Sequence, residues 1–252
     1  MKRFLILLKL EYDGMFLPLC AIIGLMSVLQ LGLFGRRLRA TGGHMPLAYL
    51  IDVGGIPIAF AIGFICLLAL IWVRLTMNYT TSKSMYALLA LPVKRGYVYL
   101  AKLAASLLGG FMLLAAQMAL LMVFNAIAGM RAVSTHDEFE IARRQGDLYL
   151  TLLDSNFLRM LFPPDLYSLA FSMFAFAGSI SIMLYLAAMS RARKWLYAAL
   201  LATAWLVLLL VTFPLTDYTW TVNVFKLLLL IIVPFVAGVK GIRLFVNGEV
   251  TG

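Results

Sequence analysis

Two histidines are the first residues to test for metal or acid–base chemistry. His44 follows Gly42-Gly43 with no acid at ligand spacing, and His136, although followed by Asp137 and Glu138, lacks the second histidine of an H-E-x-x-H site. Both read as solvated loop histidines. Ser172, Ser179 and Ser181 fall in an apolar stretch with no histidine available to activate a hydroxyl, so helix packing suits them better than nucleophilic catalysis. Cys20 and Cys66 each lie inside apolar runs and read as small hydrophobes, which argues against a disulfide framework, a thiolate metal site or CxxC redox chemistry. No G-x-x-x-x-G-K-[ST] is present, so a P-loop nucleotide site on this chain is not expected. Three amides remain, Gln30, Gln117 and Asn125, all within apolar runs. An amide in hydrocarbon is costly unless it bonds across a helix interface or faces a water-filled path, and both readings stay open.

The elements that must position these residues follow from composition. Of 252 residues 63% are hydrophobic and only 13% charged, against about 25% in a soluble domain. The charges cluster between long neutral runs, which excludes an aqueous globular fold. Six stretches meet or approach the roughly 20 residues a helix needs to cross hydrocarbon: 15–34, 53–73, 103–130, 166–190, 195–216 and 218–239. The first five carry no ionisable Asp, Glu, Lys, Arg or His, and the sixth only Lys226. Alternating polarity, as membrane strands require, is absent. The sequence thus predicts an all-α integral membrane protein, one transmembrane domain over 1–252, with six spans. The start, MKRFLILLKLEYDG, is not expected to be a cleaved signal peptide, because Lys9, Glu11 and Asp13 interrupt the apolar run and no A-x-A pattern follows. Lys2 to Tyr12 is expected as a short helix on the membrane surface, the alternative being a frayed tail.

Orientation follows from the basic residues. With the N-terminus inside, the inner side holds thirteen Lys and Arg against Glu11, Asp13 and Glu249, a net +10, while the outer side sums to zero. Both termini are therefore expected in the cytoplasm. The positive excess has a topological cause and asks for no nucleic acid. Arg36, Arg37 and Arg39 on the outer side are the local conflict, explained by a mistaken boundary or a lipid-phosphate contact.

Three connections carry information. Residues 35–52, with Gly42, Gly43 and Pro46, read as an outer loop; 131–165 as a larger outer segment of short helices, capped at Ser134 or Thr135 and stopped by Pro163-Pro164. The cytoplasmic segment 74–102 reads RLTMNYTTSKSMYALLALPVKRGYVYLAK. Thr81 or Ser82 caps a helix whose Met85, Leu88 and Leu89 share a face, and Pro92 ends it. Lys94, Arg95 and Lys102 mark the return into the membrane, where cations meet anionic headgroups at roughly 1 kcal/mol apiece. So short a helix needs a partner for its apolar face.

Ser82-Lys83, Leu88-Leu89-Ala90-Leu91-Pro92-Val93-Lys94-Arg95 and Lys102 resemble the "LP(V/I)xR…K" stretch after the second span of ABC-2-type transporter permeases, and Phe157 to Pro164 is similar to a proline-marked junction in that family. The motif covers about twenty residues and is degenerate; the six-span layout covers nearly the whole chain. The outer segment 131–165 is longer than a minimal member needs, and Lys226 in the last span is a second departure. The resemblance implies a prokaryotic plasma-membrane permease subunit, probed at Ser82, Lys83, Met85, Leu88, Leu89, Pro92 and Arg95 by a separate ABC ATPase subunit that binds ATP and Mg. It implies a second permease copy or relative, membrane lipid as surroundings, and export of a peptide, lipid, glycan or drug. The chain itself is expected to bind no cofactor and not to be an enzyme. The alternatives are a secondary transporter or channel, which normally places ionisable groups in its spans, and an intramembrane enzyme.

Overall fold

The structure is a computed structural model that describes residues 2–41, 45–80, 95–133, 147–191, 195–212 and 220–246. The described residues are nearly all helical and contain no strand. The helices are α1 (Lys2–Ala40), α2 (Leu47–Val53), α3 (Ile56–Thr80), α4 (Arg95–Val133), α5 (Asp147–Asp154), α6 (Asn156–Leu161), α7 (Leu166–Arg191), α8 (Trp195–Thr212) and α9 (Trp220–Val246). Without water to bond the backbone, an apolar run closes its own hydrogen bonds as a helix.

Five of these helices are long and apolar enough to cross a membrane, within α1, α3, α4, α7 and α9. The expected span 195–216 falls on α8, whose apolar stretch Ala199–Leu209 is shorter than a span among the described residues; 213–216 lie outside them. The last helix runs on to Val246, seven residues past the expected end of its span, and begins at Trp220. Large apolar side chains such as Leu17, Leu25, Ile58 and Leu166 stand mostly exposed, a surface suited to hydrocarbon and not to water.

Other boundaries differ from the expectation too, α3 running on to Thr80 and α4 beginning at Arg95 against expected spans 53–73 and 103–130. A surface helix ending at Tyr12 is not a separate element, since α1 continues without a break from Lys2 to Ala40. Lys9 to Asp13 do not interrupt it because Glu11 turns inward to a partner on α4. Pro18 also lies inside α1, where it removes one backbone bond of a long helix. The stretch 35–52, expected as a loop, is likewise partly helical, with α1 reaching Ala40 and α2 beginning after Pro46. Gly54 and Gly55 then turn the chain into α3. Gly55 has φ +80°, a left-handed conformation that other residues adopt at a cost, and at Gly54 a Cβ would collide with the Leu50 carbonyl oxygen.

In the segment 131–165, α5 and α6 are short helices, as expected from sequence. Ser155 caps α6, accepting from the Leu158 N–H at 3.3 Å, and α6 stops at Leu161 before Pro163-Pro164. Asp165 caps α7 by accepting from the Ser168 N–H at 3.0 Å. The expected caps Ser134 and Thr135 and the expected helix over 81–91 lie outside the described residues.

The chain divides into two compact units. Unit 1 comprises Met1–Leu19, Leu67–Gly110 and Met173–Gly252; unit 2 comprises Cys20–Cys66 and Phe111–Ser172. In unit 1, Leu19 and Leu67 pack over Gly109, and Phe176 and Ile180 occupy the space beside Gly110. In unit 2, Phe34 stacks on Phe124 with ring centres 4.5 Å apart, and Phe60 meets Phe157 edge to face.

Candidate functional site

Unit 1 gathers charge where α1, α3 and α4 meet. Lys102 Nζ donates to Glu11 Oε1 at 2.6 Å, with the two side chains 5% and 8% exposed. It is the one ion pair among the described residues. Lys102 was expected at the headgroups; the structure buries it instead, because Glu11 supplies a counter-charge that no headgroup needs to supply. One helical turn beyond Glu11, the Arg74 guanidinium lies directly over Gly14, where any side chain would collide with it. Glycine at 14 is thus a requirement of close approach. Arg74 Nε is buried with no acceptor, and its charge reaches Lys102. One carboxylate therefore faces two cations, and the cluster is net positive.

The same end of α4 is also held by α9. Tyr99 is fully buried, its ring edge-on to Phe245 with centres 5.3 Å apart, and it fills the space a side chain at Gly241 would need. Its hydroxyl has no partner. Gly96 approaches Ile242 and Val246, and Arg95, Gly96, Tyr97, Leu100 and Val246 line a groove of about 480 Å³. Arg95, the one residue of the expected coupling set within the described residues, is the first residue of α4 and is exposed. Ser82, Lys83, Met85, Leu88, Leu89 and Pro92 lie outside them, as do His44 and His136.

The candidate serines are engaged in helix contacts. Ser179 Oγ accepts from Trp205 Nε1 at 3.1 Å and donates to the Ala175 carbonyl at 2.8 Å, Ser181 donates to the Pro234 carbonyl at 3.5 Å, and Ser172 donates to the Met160 carbonyl at 2.7 Å. None has a base beside it in these contacts.

Unit 2 brings together two of the three amides. Gln30 Nε2 donates to Gln117 Oε1 at 2.9 Å, both side chains fully buried, which leaves Gln30 Oε1 and Gln117 Nε2 without partners. Asn125, beside Phe124, is half-buried and does not join them. A carboxylate that sequence reasoning passed over holds α6: Asp52 Oδ1 accepts from the Ser155 hydroxyl at 2.6 Å and the Phe157 N–H at 3.3 Å, and Oδ2 from the Asn156 N–H at 2.9 Å. Asp52 thereby ties α2 to the first turn of α6, where an anion also meets the positive end of the helix. Its position at the end of an apolar run was the available signal.

Among the described residues no group of His, Cys, Asp and Glu could hold a metal ion. What the polar clusters do is join helices: a charged joint at one end of α1, α3 and α4, an amide joint between α1 and α4, and an acidic cap under α6. No family model matches the chain, and neither a curated protein nor a solved structure is detectably similar to it.

Proposed function

We propose that the chain is the permease subunit of an ATP-driven, ABC-2-type exporter, with 74–102 as the cytoplasmic coupling segment and the helix expected over 81–91 as its docking element. The observation that carries this reading is the joint in unit 1. The two helices that enclose residues 81–94 are α3, which ends six residues after Arg74, and α4, which begins seven residues before Lys102. Both are fastened there to one turn of α1, by Arg74 over Gly14 and by Lys102 on Glu11. A push on a hinged pair of helices would dissipate in bending; a push on a pair locked to a third helix moves all three together. That is the requirement for converting closure of an ATPase pair into helix tilt. In this reading ATP and Mg bind the ATPase subunit, six spans including α8 make half of a transporter, two such subunits assemble, and both termini face the cytoplasm of a prokaryotic cell. The motif around Leu91-Pro92 and the inward bias of Lys and Arg support it.

A secondary transporter is the second reading, favoured by the same buried Glu11–Lys102 pair, since ion-coupled carriers keep ionisable groups inside membrane helices. One set of measurements separates them. In the first reading, reporters fused at Ser84 and at the C-terminus score cytoplasmic and one at Gln145 external, and L88D/L89D abolishes assembly with an ATPase subunit while the isolated chain keeps its melting temperature. Proton- or sodium-driven flux by the isolated chain in liposomes, or reversed reporters, refutes it.

A further inference from the structure

We propose that the end of α1 opposite the charged joint carries an anionic phospholipid site, with the guanidinium groups of Arg36 and Arg39 holding the phosphate over the open backbone of Gly32 and Gly35. The inference concerns unit 2 and does not rest on ATP coupling.

Three observations converge on it. The first is depth. Gly14 to Gly35 is an uncharged run of 22 residues, about 33 Å of helix at 1.5 Å per residue, against about 30 Å of hydrocarbon. With the run centred in a bilayer, Arg36 and Arg39 emerge at the level of the phosphates. The second is shape. Leu31, Gly32, Gly35, Arg36, Arg39 and Ala40 line a groove of about 550 Å³, and a Cβ at either glycine would meet nothing within 4 Å. Below it on the same side stand Leu25 and Val28, 72% and 69% exposed. A cationic head over an apolar stripe has the form of a phospholipid, whereas a free phosphate would use the head alone.

The third is charge. No described carboxylate lies within ion-pairing distance of Arg36 or Arg39, and Asp52, on α2, is occupied by Ser155 and the α6 backbone. Arg37 differs from its neighbours, its stem packing beside Gly54. Two exposed guanidiniums an i, i+3 step apart present a fork suited to one phosphate, and they would repel the choline of a zwitterionic lipid. Basic residues in a last turn also complement the carbonyl end of a helix, but that role needs no groove.

The test uses the full chain, purified in detergent and stripped of lipid, with dioleoyl phosphatidylglycerol titrated and bound lipid counted by native mass spectrometry. Wild type is expected to retain phosphatidylglycerol in preference to dioleoyl phosphatidylcholine. R36Q/R39Q is expected to weaken phosphatidylglycerol about 30-fold, from two cations. G32L/G35L, which keeps both charges and fills the groove, is expected to weaken it clearly, and R36K/R39K, which keeps the charges but loses the guanidinium fork, to weaken it less than R36Q/R39Q does. Unchanged binding in R36Q/R39Q overturns the site. Unchanged binding in G32L/G35L reduces the arginines to helix-end charges and overturns it too, as does displacement of the lipid by millimolar inorganic phosphate. If neutralising Asp137, Glu138 and Glu140 in place of the arginines abolishes binding equally, the charge argument is wrong.

Discussion

The ion pair at the joint makes a quantitative prediction. In E11Q the Lys102 ammonium, 5% exposed and 2.6 Å from the lost carboxylate oxygen, keeps Arg74 as a like-charged neighbour and loses its counter-ion. Removing one partner of a buried pair costs about 3–5 kcal/mol, because the remaining charge stays desolvated. At roughly 2–4 °C per kcal/mol for a chain of this size, the melting temperature in detergent should fall by about 6–20 °C. K102M should cost less than E11Q, since Arg74 remains beside the orphaned Glu11 carboxylate. Replacing both, as E11L/K102M, removes the pair's two charges together, leaves only Arg74, and should recover part of the loss, since apolar substitutes for a buried pair are often neutral. The coupling energy from the double-mutant cycle should therefore be about 2–4 kcal/mol. Thermal unfolding followed by tryptophan fluorescence gives all four stabilities. Additive single variants, each below about 0.5 kcal/mol, would mean that the pair is solvated and that the joint does not bind α1 to α4.

Other sites give sharp contrasts. D52A removes three hydrogen bonds beneath α6 and should cost about 2 kcal/mol, seen as faster hydrogen exchange over 155–161 with α4 unaffected. Q30L strands both polar ends of Gln117 and should cost about 1–3 kcal/mol, while Q30L/Q117L should be more stable than the single variant; equal loss in both would show that packing, not the amide bond, is what matters. At Gly178 a Cβ would sit 2.8 Å from Pro234 and Trp205, so G178L should leave little folded protein by size-exclusion chromatography. G24A meets open space and should raise stability by up to about 1 kcal/mol.

Much of the fold is legible along the chain and little of the site is. Runs such as 166–190 and 103–130 are helical whatever surrounds them, because hydrocarbon offers the backbone no other partner, and Pro163-Pro164 stops α6 by a local steric rule. The short helices within 131–165 were legible for the same local reason. The continuity of α1 was not: Lys9, Glu11 and Asp13 read as a break until Glu11 is seen against Lys102, 91 residues away. Gln30 and Gln117 were recognisable as costly amides, but their pairing across 87 residues was not, and the place of Asp52 at the end of an apolar run did not say which backbone it would cap. The amino-acid sequence by itself determined that this is a helical chain with several helices fit to cross a membrane, since that depends on the composition of each run alone. Only the tertiary structure decided which faces of those helices are inside. A helix apolar on every side carries no periodic record of its neighbours, so the few polar residues that join α1, α3 and α4 acquire their roles when the helices pack.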